Sequence, residues 1–215
     1  MSYASASGFV LAGGASKRMG RDKALVEFAG EPLLARALRI LQEAGLVARI
    51  AGARTELEQF ARVINDAGPG RGPLAGICAA LAACETQLAV FIPVDLPLLP
   101  ASLVTVMVRR AEITDAAVTV PSVSGFAQTF PAVLDRTALP ALEDALKQGS
   151  GGCFAAFEAA AAALGERVAV LPVEYLTQAG QVAHPHGLPP AIWFLNVNTP
   201  AELRRAEALS SRAVA

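Results

Sequence analysis

Short apolar runs alternate along this chain with longer segments of helical period, and this alternation limits the fold more than any other feature of the sequence. The runs typical of β-strands lie at residues 9–12, 47–51, 88–93, 116–121, 129–134, 167–172 and 193–198. The helical segments lie at residues 32–45, 55–61, 74–84, 137–148 and 152–164, with two more beginning near 101 and 200. Strands that alternate with helices predict an α/β layer fold around a mostly parallel sheet.

The length of the chain suits one domain. Its 215 residues are enough to bury roughly 70% of the unfolded surface without a metal or disulfide staple, and we expect a single domain over residues 1–215. The three cysteines, Cys78, Cys84 and Cys153, have no C-x-x-C spacing and lie in apolar surroundings. This placement indicates packing residues and not a redox or zinc site.

Charge and hydropathy exclude two classes of partner. A net charge of −1 gives no basis for electrostatic binding to nucleic acid. The mean hydropathy is positive, but Asp95 and several prolines interrupt the most apolar stretch, residues 88–108. A membrane-spanning helix needs about 20 mostly apolar residues without such breaks. Residues 1–8 lack the charged and apolar regions of a signal peptide, so we expect a cytoplasmic protein that binds neither membranes nor nucleic acid.

A glycine-rich basic stretch, LAGGASKRMGRDKA at residues 11–24, follows the first predicted strand. Gly13 and Gly14 would let backbone N–H groups approach an anion without obstruction by a Cβ atom. Arg18 and Lys23 add a planar guanidinium and an ammonium group, which suit a polyphosphate. The spacing matches neither the Walker P-loop nor the G-x-G-x-x-G fingerprint. The stretch therefore predicts a phosphate-binding loop of another kind.

Asp95 is the second candidate, because it follows the buried run 88–93 within the segment FIPVDLPLLP. A carboxylate at the end of a buried strand must be solvated, hydrogen-bonded or paired. Mg²⁺ held by one or two carboxylates and by substrate phosphates is a common arrangement in phosphoryl transfer. The alternative is a turn or helix-capping aspartate, which Ser102 weakens because it lies nearer the next predicted helix.

Three further polar residues follow predicted strands or lie in the loop at residues 65–73. Asp66 in that loop would accept hydrogen bonds from a base or ribose, and an ordinary Asx turn explains it equally well. Asn196 and Asn198 flank Val197 at strand spacing, so we expect their side chains on the same side. We assign them to the acceptor or metal side, with Thr199 as the better cap for the last helix.

Two other features carry little functional weight. His184 and His186 are spaced like a metal-binding pair, but no third ligand lies near them in the sequence. The segment Ser150 to Cys153 has neither a nucleophile elbow nor a paired base. Nucleophilic catalysis is therefore not supported.

Four blocks together resemble the molybdenum cofactor guanylyltransferase (MobA) family of glycosyltransferase-A-like nucleotidyltransferases. They are LAGGASKRMGRDKA, GPLAGI at 72–77, PVDLPLLP at 93–100 and FLNVNTPAEL at 194–203. The resemblance covers about residues 8–208. It implies a three-layer α/β/α, Rossmann-like fold with a mostly parallel sheet, a nucleotide-binding half at about 8–100 and an acceptor-binding half at about 101–200.

The resemblance also implies an activity. It is the Mg²⁺-dependent transfer of GMP from GTP to molybdenum-bearing molybdopterin, with release of pyrophosphate. Transient contact with molybdoenzymes or their chaperones is a further expectation. The implied roles are nucleotide binding by Leu11, Ala12, Gly13, Gly14, Lys23, Asp66 and Asp95, metal binding by Asp95, and catalysis by Arg18, Lys23 and Asp95. Gly14 favours GTP over CTP, because relatives that use CTP tend to have LAAG here.

Some positions depart from the family pattern. Ala51 stands where the family often has Asn, and Arg54 is a candidate to replace the lost contact. QTFPAV at 128–133 and GSGGC at 149–153 lack charged residues that relatives often carry. Three alternatives therefore stay open. They are cytidylyl transfer to the same acceptor, nucleotidyl transfer to a sugar phosphate, and a catalytically silent nucleotide-binding adaptor for molybdoenzymes.

Overall fold

A computed structural model of the chain describes residues 6–12, 22–65, 72–149 and 151–212. Its strands are β1 (Ala6–Leu11), β2 (Glu27–Phe28), β3 (Glu31–Pro32), β4 (Val47–Ala51), β5 (Val63–Ile64), β6 (Leu88–Pro93), β7 (Val118–Val123), β8 (Phe126–Ala127), β9 (Ala132–Asp135) and β10 (Ala169–Pro172). Its helices are α1 (Leu33–Glu43), α2 (Gly72–Ala82), α3 (Ala101–Thr114), α4 (Leu139–Gln148), α5 (Cys153–Ala163), α6 (Val173–Gln178), α7 (Pro190–Trp193) and α8 (Pro200–Arg212).

The central sheet is mixed and mostly parallel, as the alternating pattern predicts. Its strand order is β10-β7-β9-β6-β1-β4-β5, with β8 added beside β7. Strand β1 pairs in parallel with β4 and β6, and β10 pairs in parallel with β7. Strand β9 runs antiparallel to both β6 and β7. The sheet thus combines a parallel half around β1 with a second half organised around the reversed strand β9.

Helices cover both faces of the sheet, which gives three layers. On one face α1, α3 and α6 pack over Val10, Ile50 and Val90. On the other face α2, α4 and α5 pack over Phe9 and Phe91, whose rings stack with centroids 5.4 Å apart. Successive residues of a strand point to opposite faces, so the uninterrupted apolar runs of β1 and β6 supply both cores. This arrangement confirms the predicted α/β/α fold.

A third, smaller apolar cluster joins three distant parts of the chain. The β2–β3 hairpin contributes Phe28, α8 contributes Ala206, and the segment before α8 contributes Val197. The guanidinium of Arg36 lies over the Phe28 ring, 4.7 Å from its centroid. This cluster holds the C-terminal helix against the hairpin and positions the segment 194–199 beside β6.

Residues 193–198 do not form the last strand that the sequence predicts. Trp193 ends the short helix α7, which begins at Pro190, and residues 195–198 have no regular structure. Phe194 belongs to one apolar cluster and Val197 to another. The apolar residues of this segment therefore reflect packing into two separate clusters and not the two faces of a strand.

Ser102 does not cap α3, contrary to expectation. Pro100 is the residue at the N-cap position, and Ser102 Oγ donates instead to the Ala183 carbonyl at 2.8 Å. The apolar stretch 88–108 divides into β6, a turn and the start of α3. Across the described residues, no helix has both the length and the apolar character needed to cross a membrane.

Candidate active site

A cavity of about 510 Å³ opens at the carboxyl ends of β1 and β6. Open α/β sheets bind ligands at this edge, where loops from neighbouring strands meet. Leu11 and Pro93, the last residues of β1 and β6, form part of its wall. The other described lining residues are Lys23, Pro73, Val94, Asp95, Leu96, Gln128, Thr129, Phe130, Cys153, Phe194 and Asn196.

Lys23 forms the polar centre of this cavity. Its ammonium donates to Asp95 Oδ2 at 2.7 Å and to Asn198 Oδ1 at 2.6 Å. The Lys23 and Asp95 side chains are 16% and 19% exposed, so solvent screens the ion pair only in part. Three residues that lie far apart in the sequence thus form one charged cluster at the mouth of the cavity.

Local structure positions each member of this cluster. Lys23 begins a 3₁₀ turn, Lys23–Leu25, whose N-cap Asp22 accepts a hydrogen bond from the Ala24 N–H at 3.0 Å. Asp95 lies in the turn after β6, and its carbonyl accepts from the Val197 N–H at 3.0 Å. That bond places the segment containing Asn198 beside Asp95.

The site residues fit a divalent cation. Asp95 Oδ1 is buried and has no hydrogen-bond partner among the described residues. A buried oxygen of this kind costs free energy unless it is satisfied by a partner or a ligand. Carboxylate and amide oxygens are donors that Mg²⁺ accepts. The described residues include no group of three or more His, Cys, Asp or Glu suited to a metal. Mg²⁺ is usually held by one or two carboxylates together with waters and substrate phosphates.

The structure places the remaining predicted site residues as follows. Leu11 lines the cavity. Ala12 is buried, and its N–H donates to the Ala51 carbonyl at 3.2 Å. Asn196 lines the cavity, and Asn198 accepts a hydrogen bond from Lys23. Neither asparagine lies in a strand. Gly13, Gly14, Arg18 and Asp66 lie outside the described residues.

The capping explanation for Asp95 is not supported, since its carboxylate bonds to a lysine and α3 begins at Ala101 with Pro100 as its cap. Ala51, the position where the family often has Asn, is fully buried at the end of β4. It lies against Gly76 of α2, and a Cβ added at Gly76 would approach its backbone to 3.7 Å. Ala51 therefore serves helix–strand packing.

Sequence reasoning did not predict several residues that line the cavity beside the charged cluster. Gln128, Thr129 and Phe130 lie between β8 and β9, and Cys153 begins α5. Burial raises the pKa of the Cys153 thiol to about 11, so the thiol stays protonated at neutral pH. The departures of residues 128–133 and 149–153 from the family pattern were the sequence signals that pointed to these lining residues.

The two histidines lie away from the cavity. His184 is buried, its Nδ1 accepts a hydrogen bond from the His186 N–H at 3.0 Å, and its ring lies 6.2 Å from that of Trp193. Burial, followed by the charges of His186 and Arg36, lowers the pKa of His184 to about 4. His184 is therefore neutral at physiological pH and contributes to packing beside α7.

The fold and the site define the class of the protein. A lysine and an aspartate meet at the carboxyl ends of two parallel strands, above a cavity of nucleotide size, as expected for an α/β nucleotide-binding enzyme. The family model of the MobA-like NTP transferase domain matches residues 8–173. The chain belongs to this family and is a nucleotidyltransferase.

Relatives of this chain carry consistent names. It is 30% identical over 207 residues to a probable molybdenum cofactor guanylyltransferase of Pelotomaculum thermopropionicum, covering 95% of this chain and 93% of that protein. It is 36% identical over 145 residues to a molybdenum cofactor guanylyltransferase of Pseudomonas putida, covering 65% of this chain and 75% of that protein.

A solved structure shows the same fold. The crystal structure of molybdopterin-guanine dinucleotide biosynthesis protein A from Archaeoglobus fulgidus superimposes with a TM-score of 0.74 at 24% identity. The match covers 96% of this chain and 99% of that one. The likeness therefore extends over both halves of the sheet.

Proposed function

We propose that this chain transfers GMP from GTP to molybdenum-bearing molybdopterin, forming the guanine dinucleotide cofactor and releasing pyrophosphate. The observation that carries the proposal is the cluster of Lys23, Asp95 and Asn198 at the mouth of the cavity. The names of the relatives supply the substrates. Gly14, in the pair Gly13-Gly14, favours GTP over CTP as donor.

MobA-like nucleotidyltransferases are generally dependent on a divalent metal. In this chain Asp95 and Asn198 would hold it, and Mg²⁺ is the cation that their oxygen donors suit. When bound, Mg²⁺ would offset negative charge on the triphosphate. Lys23 contacts both residues, so its ammonium would exchange Asp95 for phosphate when the nucleotide binds.

The protein's own groups would act by binding and orientation. Lys23 donates to phosphate oxygens, and Arg18 and the N–H groups of Gly13 and Gly14 are proposed to do the same. Leu11, Ala12 and Asp66 are proposed to contact the nucleoside. An oxygen of the acceptor phosphate bonds to the α-phosphorus, and the bond to the β-phosphate breaks, so pyrophosphate leaves with the electron pair. The acceptor phosphate is already ionised, so no general base is required.

The acceptor would occupy the part of the cavity lined by Gln128, Thr129 and Phe130, and Phe194 and Asn196 are further lining residues within its reach. Aromatic rings, an amide and a hydroxyl suit a flat heterocycle with polar edges. We further propose that the protein works in the cytoplasm and passes its product to molybdoenzymes or their chaperones by transient contact.

The direct test is to incubate the purified protein with Mg²⁺, molybdenum-bearing molybdopterin and α-labelled GTP. We expect pyrophosphate and a labelled dinucleotide. Asp95→Asn, which keeps the side-chain shape, should reduce the rate by at least about 100-fold. Asp144→Asn is the matched control, because Asp144 is 65% exposed and pairs only with Lys147 on the surface of α4.

Parallel reactions with CTP, ATP and UTP, and with sugar phosphates as acceptors, separate the alternatives. Product from CTP would assign cytidylyl transfer instead. Absence of product with every nucleotide, from protein that stays folded, would favour a nucleotide-binding adaptor.

A further inference from the structure

We infer that Arg54 is a positioning residue for Lys23, and that it acts by clamping Asp22 to the end of β1. Arg54 is not among the described residues that line the cavity. We therefore assign Arg54 a positioning role, and its direct contact with the nucleotide stays a prediction. The inference rests on the proposed function only in taking a nucleoside triphosphate as the ligand of Lys23.

The guanidinium of Arg54 makes three separate contacts. One terminal nitrogen donates to the Ala12 carbonyl at 3.4 Å, the other forms an ion pair with Asp22 Oδ2, and Nε pairs with Glu56. Ala12 directly follows β1 and Asp22 directly precedes Lys23. One side chain thus joins the strand end to the residue next to the catalytic lysine.

Asp22 transmits this restraint to Lys23, because its two carboxylate oxygens have different partners. Oδ2 pairs with Arg54, while Oδ1 accepts from the Ala24 N–H at 3.0 Å and caps the 3₁₀ turn that begins at Lys23. The turn therefore cannot shift without breaking a charge-assisted contact. The ammonium of Lys23 is held at the far end by Asp95 and Asn198.

The chemistry of the site calls for an arginine. A planar guanidinium offers several donors in fixed directions, whereas an ammonium is a single compact charge. Arg54 is only 20% exposed, against 31% for Asp22 and 60% for Glu56. Burial lowers the pKa of Arg54, but its hydrogen bonds to Glu56 and Asp22 outweigh burial and raise it overall. The guanidinium of Arg54 therefore stays protonated at neutral pH.

The first test needs no nucleotide. Acetic anhydride labels lysine amines, and mass spectrometry locates the label. Lys23, 16% exposed and bonded to two oxygens, should react slowly in the wild type and severalfold faster in Arg54→Ala. Lys147, 72% exposed, is the internal reference. Asp22→Asn keeps an acceptor for the Ala24 N–H but loses the charge that pairs with Arg54, so it should give the same acceleration and serves if Arg54→Ala fails to fold.

The second test is a double-mutant cycle on the affinity for Mg·GTP and for guanosine, measured by calorimetry. Arg54→Ala should weaken Mg·GTP binding about tenfold and leave guanosine binding unchanged, since Lys23 contacts phosphate. In a Lys23→Ala background the same substitution should have no further effect. Arg62→Ala, the loss of an exposed arginine near β5, is the matched control.

The results of the two tests distinguish a wrong role for Arg54 from a wrong proposed function. Unchanged labelling of Lys23 in Arg54→Ala would overturn the inference. The inference would also be overturned if the losses of Mg·GTP affinity multiply in the double mutant, because Arg54 would then act independently of Lys23. If Arg54→Ala weakens the binding of guanosine and of Mg·GTP equally, Arg54 contributes only to the general stability of the fold. If the wild type binds no nucleoside triphosphate, the proposed function fails, while the labelling experiment still decides the role of Arg54.

Discussion

The ammonium of Lys23 is the most informative group in the molecule. It contacts Asp95 Oδ2 and Asn198 Oδ1, and these are the two side chains that we assign to the divalent cation. An ammonium and a divalent cation cannot both contact these side chains without strong repulsion. Metal and nucleotide should therefore bind together, since phosphate draws the ammonium away from Asp95 as it brings the cation.

Replacing Lys23 should change metal and nucleotide affinity in opposite directions. Lys23→Met removes the ammonium and frees both oxygens, so we expect the protein alone to bind Mn²⁺ about tenfold more tightly. Its affinity for a nucleoside triphosphate should fall. Electron paramagnetic resonance of free Mn²⁺ measures the first quantity, and calorimetry the second.

The control is the double variant Lys23→Met with Asp95→Asn, which should lose the gain in Mn²⁺ affinity. If Lys23→Met binds Mn²⁺ no better than the wild type, the ammonium does not cover the metal site.

The segment before α8 shows how one element shapes the site. Thr199 Oγ1 accepts from the Glu202 N–H at 3.2 Å, and Glu202 Oε2 accepts in return from the Asn198 N–H at 2.8 Å. This reciprocal pair resembles a capping box shifted by one residue. It fixes the backbone of Asn198, whose side chain then reaches Lys23. Thr199 thus caps α8, as the preference for Thr199 over the asparagines predicts. The same cap supports the candidate site through Asn198.

Thr199→Ala should destabilise the protein by about 1 kcal/mol, measured by urea unfolding. Lys23 should also label faster with acetic anhydride, because Asn198 is less restrained. Ser211→Ala is the control near the other end of α8, since exposed Ser211 makes its one side-chain hydrogen bond among the described residues to the Ala208 carbonyl. Equal effects of the two substitutions would contradict a special role for the cap.

Glu202 makes the contribution of this segment to the stability of the folded state depend on pH. The hydrogen bond from the Asn198 N–H is the largest cause that lowers the pKa of Glu202 below 4.5. A lowered carboxyl pKa stabilises the folded state above pH 4.5, and the contribution is lost as the pH falls through the lowered value. The stability difference between wild type and Glu202→Gln should therefore be constant at neutral pH and vanish in acid. A constant difference throughout would contradict this assignment.

The central sheet couples the two halves of the molecule. Phe157 of α5 is fully buried in one core, and Trp193 is fully buried in the core on the other face. Strand β6 contributes Phe91 to one core and Val90 to the other, while it pairs with both β1 and β9. We expect the chain to unfold as one cooperative unit, in keeping with a single domain.

Phe157→Ala tests this coupling. Loss of a buried phenylalanine should cost about 3 to 5 kcal/mol, and the fluorescence transition of Trp193 on the opposite face should shift to lower urea by the full amount. Trp193 is the one tryptophan of the chain, so the signal is unambiguous. Phe126→Ala, at a residue 74% exposed, should leave the transition in place. An unshifted Trp193 signal in Phe157→Ala would show that the faces unfold separately.

Much of the site follows from local sequence. The spacing of apolar residues predicts the strands and helices, because burial of one face or of both faces determines which positions along the sequence are apolar. The convergence of Leu11, Lys23 and Asp95 follows from the rule that parallel strands bring their carboxyl ends to one edge. The residue types alone suggest that the ammonium of Lys23 binds a phosphate and that the carboxylate of Asp95 binds the accompanying cation.

The tertiary structure decided what residue order cannot encode. Arg54 and Asp22 are 32 positions apart and Lys23 and Asn198 are 175 apart, so no local pattern reports their contact. Residues 193–198 look like a strand because they form a short apolar run. Such a run has the same appearance in the sequence whether its side chains are buried in one sheet or in two separate clusters. Local sequence thus determines which surfaces of each element are buried and which side chains carry charge. The packing of whole elements determines which of those charges meet, because that depends on contacts between residues far apart in the chain.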